Sequence, residues 1–156
     1  PDNPERSQEM GGAVQVSKVI GSSHRIGING FYGKDVKRVN REIRRMLGAF
    51  GLLGFNSQLY ALTDFSWTYD QVNFGGMAEF LKFGWEFTQG VHLLATQQLG
   101  KPSLKKGEIF SEAYSLGIQY FPRAHWEFLL SGGKERSTAA SPDFDSIFHF
   151  MVHYYL

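Results

Sequence analysis

The chain contains no cysteine, which excludes a disulfide framework, a thiol nucleophile and any thiolate metal site. It also has no apolar run near the ~18 residues that a membrane-crossing helix needs. Its longest apolar stretch, "LGAFGLLGF", is short and glycine-rich. The opening residues "PDNPERSQEM" hold neither a start methionine nor the apolar core of a signal peptide. The sequence therefore reads as a processed mature chain or a fragment, with 1–12 as a polar N-terminal extension or loop remnant. Charge of one sign is lacking too. Sixteen Lys+Arg against 15 Asp+Glu leave a net charge of +1, so no bulk attraction to nucleic acid follows. G-x-S-x-G, P-loop, Rossmann and H-E-x-x-H patterns do not occur. No cofactor is implied.

What is present is period-two alternation. The 156 residues, 15% aromatic and with 18 glycines, suffice for one domain spanning 1–156. Alternation predicts strands near 13–20, 24–33, 45–55, 58–69, 74–88, 91–99, 108–121, 125–133 and 145–156. Reading "KVIGSSHRI" as one continuous strand reduces nine to eight. Several exceed the ~5–6 residues usual in globular strands and match the ~9–11 of a tilted membrane strand. The connections "FNSQ", "TQG" and "FPRAH" are tight. "YGKDVKRVNREIRRM", "LGKPSLKKGE" and "SGGKERSTAASPD" are long and polar, and "YDQVN" is the short exception. An up-and-down sheet puts every second connection at the same rim. Sorting by length is therefore expected of an outer-membrane barrel with short turns on one side and longer loops on the other.

The strands carry one apolar and one polar face. Met77, Leu81, Phe83, Trp85 and Phe87 oppose Ala78, Lys82, Gly84, Glu86 and Thr88. Tyr114, Leu116, Ile118 and Tyr120 oppose Ser115, Gly117 and Gln119, and Trp126, Phe128 and Leu130 oppose His125, Glu127 and Ser131. Soluble and membrane barrels both alternate, but only the latter turn the apolar face outward. The polar face is rich in Gly, Ser, Thr and Gln rather than Lys and Glu, and aromatics gather near strand ends. Both features favour the outward arrangement.

The final segment "IFHFMVHYYL" resembles the C-terminal strand of Gram-negative outer-membrane β-barrels, which the outer-membrane assembly machinery reads. Phe148, Phe150, Val152 and Tyr154 match that pattern, and Leu156 stands where a terminal Phe is usual. The stretch "FGWEFTQGVHLLATQQLGKPS…LGIQYFPRAHWEFLLSGGKER" is similar to porin-like barrels. The resemblance covers about the last half of the chain. It implies an antiparallel up-and-down transmembrane β-barrel in the bacterial outer membrane, and passive, non-enzymatic passage of small polar solutes. Implied partners are the lipid bilayer, lipopolysaccharide and other envelope proteins. The alternatives are a non-conducting barrel that anchors an envelope complex, and a soluble lipocalin-like binding barrel. Eight strands leave an interior filled by side chains, whereas sixteen or more enclose water. The polar, proline-flanked start favours the C-terminal part of a larger, channel-forming barrel.

Candidate sites follow from that frame. Arg25, Asp64, Lys82, Glu86 and Glu127 are expected to line the lumen, either neutralising one another or facing water. Lys34, Lys37, Arg38, Arg41, Arg44 and Arg45 form a basic cluster at the external rim. Val36, Val39, Ile43 and Met46 at helical spacing suggest either a short amphipathic loop helix or strands that extend outward. The cluster suits lipopolysaccharide phosphates or an anion-selective pore mouth, and a plain solvated loop is the alternative. His149 and His153, four apart on a strand, stand ~13 Å apart and cannot share a metal. Ser66, Asp64 and His149 could be written into a hydrolytic set, but nothing in their spacing requires it.

Overall fold

The computed structural model describes residues 9–35, 43–70, 75–104, 110–137 and 141–155. Nine strands follow in chain order: β1 (Glu9–Ile20), β2 (His24–Asp35), β3 (Ile43–Gly54), β4 (Leu59–Asp70), β5 (Gly76–Thr88), β6 (Val91–Lys101), β7 (Ser111–Tyr120), β8 (Trp126–Ser137) and β9 (Ser141–Tyr154). Each pairs antiparallel with its sequence neighbours in one sheet ordered β1 to β9. Among the described residues there is no helix.

"GSS" is a turn, so the strand count is nine. Gly21 takes φ 63° there, a left-handed conformation open to glycine at little cost. Gly90, with φ 75°, closes the tight β5–β6 hairpin in the same way. His125 holds φ 77° without that freedom, in the turn before β8.

Seven of the strands run further than the alternation predicts toward the rim with the longer connections, whereas β5 and β7 start later than the expected 74 and 108. β1 begins at Glu9, inside the stretch expected to be an extension. β8 reaches Ser137 and β9 begins at Ser141, so most of "SGGKERSTAASPD" is paired ladder rather than loop. Ile43 and Met46 lie in β3, so strand extension holds there and the loop helix does not. Val36, Val39, Lys37, Arg38 and Arg41 fall outside the described residues, as does Leu156. The physical reason is that apolar alternation marks only the part of a strand with one apolar face. Backbone pairing continues past it into polar sequence.

Register puts most of the exposed large apolar side chains on one surface, while others such as Phe50, Leu62, Phe80 and Leu94 lie on the opposite one. Leu53, Ala61, Phe83, Ala95, Leu116, Gly132 and Phe148 form one continuous row across β3 to β9. Lys82, Thr96, Ser115 and Gly133 form a row on the opposite surface. On β7 the polar-face residues are half-buried while Tyr114, Leu116, Ile118 and Tyr120 are exposed, as in a sheet curled toward its polar side. Cross-strand packing tightens that side. The Tyr60 ring lies over Gly84, directly opposite it, in the space a Cβ would fill, and Phe50 covers Gly27 likewise.

Among the described residues no second layer covers the sheet. Among the described residues the only buried hydrophobic side chains are Ala61 and Leu94, and no large side chain is fully buried. The expected closed barrel is not formed, because β1 pairs only with β2, and β9 only with β8. Both outer edges keep unpaired backbone groups.

Candidate functional site: the polar face and its rims

The five residues expected to line a lumen all fall on the polar face, on four different strands. Arg25 on β2 pairs with Leu52 across the ladder and binds Ser17 Oγ through Nε and Nη2, at 3.0 and 2.9 Å. Asp64 on β4 lies opposite Phe50 and Phe80, and Lys82 on β5 lies opposite Leu62 and Thr96. Glu86 accepts a hydrogen bond from the Gly90 amide at 2.8 Å, which ties it to the β5–β6 turn. None of the five forms an ion pair with another among the described residues.

Glu127 is the best-built of them. It is 6% exposed at the start of β8. Gln119 and the Tyr155 hydroxyl both donate to its carboxylate, and His153 Nδ1 lies 3.3 Å away. The Tyr155 amide also donates to the His125 carbonyl at 2.8 Å. This cluster fastens the end of β9 to β7 and β8. Hydrogen bonding to Glu127 raises the Tyr155 phenol above its ordinary value of 10.0, because ionisation would cost that bond and set two anions together. His153 was legible only as a polar-side residue and Tyr155 only by alternation. Their meeting at Glu127 depends on the β8–β9 register, which pairs Glu127 with His153.

The basic cluster does not point one way. Arg44 lies on the polar face, in register with Gly33 and Asp70. Lys34 and Arg45 lie on the apolar face, where the Arg45 guanidinium sits 5.8 Å from the Tyr32 ring centre. Asp64 and Ser66 on β4 and His149 on β9 share the polar face but are five strand spacings apart, roughly 24 Å along the sheet. They do not assemble into a catalytic set.

On the apolar face of β9, Phe148, Phe150, Val152 and Tyr154 are all exposed, Phe148 by 81%. Aromatics frame this face at both rims. Tyr32, Trp67, Tyr69, Tyr114 and Phe144 lie toward the longer connections, and Trp85, Tyr120, Trp126 and Tyr154 toward the tight turns. Trp126 and Tyr154 pack with centroids 5.0 Å apart. Comparison of the chain with protein-family models, curated proteins and solved structures finds no match in any of the three.

Proposed function

We propose that this sheet is the wall of an outer-membrane β-barrel that passes small polar solutes passively. The observation that carries the reading is the uncovered apolar face. Leu116 and Phe150 are each 70% exposed in mid-strand, within a surface far beyond the few hundred Å² that soluble proteins usually leave bare. Acyl chains are the cover that needs no further protein. The height of the face agrees with this. Phe144 and Tyr154, the rim aromatics of β9, are ten residues apart, which is ~34 Å along a strand. At the usual 35–45° tilt that becomes roughly 24–28 Å, against an apolar band ~25 Å tall in such barrels.

The proposal carries a topological condition. A bilayer does not tolerate open sheet edges, so the free edges of β1 and β9 need partners. With an odd number of alternating strands, β1 and β9 run in the same direction. Closure by antiparallel pairing therefore takes an odd number of further strands. The chain would then be one arc of a wider barrel, and its polar face would line the lumen. On this reading β9 is also the strand presented to the assembly machinery. Lipopolysaccharide meets the apolar face and its outer rim.

The test is conductance. The closed barrel that includes this chain, refolded in detergent and inserted into a planar bilayer, should give discrete current steps. Stable insertion without steps would remove the transport reading and leave a non-conducting anchor. A monodisperse protein in plain buffer would remove both in favour of a soluble binding barrel.

A further inference from the structure

The apolar face is not uniformly bulky. Between β5 and β9, toward the rim with the longer connections, it sinks into a groove of about 550 Å³. Ala95 and Gly132 are among its smallest lining residues, Leu116 stands between them, and Leu81, Phe83 and Phe144 also line it. The hollow follows from register, since Ala95, Leu116 and Gly132 are direct cross-strand neighbours. Two positions of that row contribute almost no side chain.

One charged residue lines the groove. Lys134, on β8 at its rim end, faces the same surface, with Tyr114 and Ser146 as its cross-strand neighbours. Its local charge is unbalanced. The nearby carboxylate of Glu112 is already taken, by an ion pair with Arg136 and by the Tyr114 hydroxyl at 3.0 Å. Arg136 in turn lies over the Phe144 ring at 4.7 Å. Lys134 has no ion-pair partner among the described residues. Among the described residues the patch therefore carries a positive charge without an ion-pair partner directly beside an apolar trough.

The geometry points to a binding site for an anionic lipid, one whose phosphate is not neutralised by a cationic headgroup. One acyl chain lies against Leu116 and its small neighbours Ala95 and Gly132, and the phosphate sits at the Lys134 ammonium. Charge complementarity selects this occupant. An apolar protein segment would bury Lys134 against nothing, and a neutral lipid would leave its charge unmet. The site rests on the reading of the apolar face as lipid-facing. It is distinct from the cluster at Lys34–Arg45, which lies on β2, β3 and their connection.

The test is lipid retention. The protein is reconstituted in nanodiscs of phosphatidylglycerol and phosphatidylcholine, released, and weighed with its bound lipid by native mass spectrometry. Lys134→Gln should lower the retained ratio of phosphatidylglycerol to phosphatidylcholine at least fivefold. Ala95→Phe, which fills the trough, should lower retention of both lipids. Lys18→Gln, on the same face at the opposite rim, should change neither. Normal insertion with retention unaffected by Lys134→Gln and Ala95→Phe overturns the lipid site alone. Failure of the closed barrel that includes this chain to enter nanodiscs overturns the lipid-facing reading together with the site.

Discussion

Replacing Leu116 with Arg tests the outward direction of the apolar face. Leu116 sits in the middle of β7, is 70% exposed, and has only Ala95 and Gly132 directly across the ladder. In water, a guanidinium at so open a position would change stability by less than about 0.5 kcal/mol. Near the middle of a bilayer the same change costs about 2–4 kcal/mol. That is roughly a 30- to 700-fold shift in the folding equilibrium. The internal reference is Gln98→Arg, at an exposed position on the polar face of β6, which is expected to stay within about 0.5 kcal/mol. Equilibrium urea titrations of folding into phospholipid vesicles measure both. If Leu116→Arg and Gln98→Arg cost the same to within 0.5 kcal/mol or so, apolar exposure on this sheet does not signify lipid contact, and the reasoning fails.

Further outcomes follow from the polar face and its rims. The phenol of Tyr155 has a folded-state value raised above 10.0 by its bond to Glu127, so the stability it contributes is present below that ordinary value and is lost as pH rises through the raised one. Tyr155→Phe should flatten this alkaline loss in a pH series of thermal melts, and an unchanged slope would contradict it. Gly84→Val drives a side chain into the ring of Tyr60 and should cost about 1–3 kcal/mol in the same titration. Arg44→Gln, on the polar face, should shift the reversal potential of the reconstituted protein toward cations. Arg45→Gln, on the apolar face beside Tyr32, should leave it unchanged, and equal shifts would discard the assignment of faces.

The faces were legible in the sequence because side-chain direction in a strand has period two and needs no knowledge of partners. Leu116 against Ser115, and Trp126 against Glu127, were assigned to opposite surfaces from alternation alone. Strand ends were less legible. Apart from Met10 and Phe144, residues 9–12, 134–137 and 141–144 are polar or small, and what makes them strand is the backbone ladder, which leaves little trace in residue type. Contacts across the ladder were illegible for a related reason. Tyr155 meets Glu127, and Ala95 meets Gly132 through Leu116, only once register is set, and register is a pairwise property that one strand cannot show. Closure lay further still from the sequence. An unpaired β1 edge looks the same, residue by residue, as a paired one.

The most direct measurement uses the absence of native cysteine. Single cysteines placed in turn at 113–119 on β7 and spin-labelled in vesicles would report accessibility to oxygen, which concentrates in lipid, and to a polar nickel complex, which stays in water. Oxygen accessibility should peak at 114, 116 and 118, and nickel accessibility at 113, 115, 117 and 119. The opposite phase, or nickel access at every position, would contradict an apolar surface turned toward lipid.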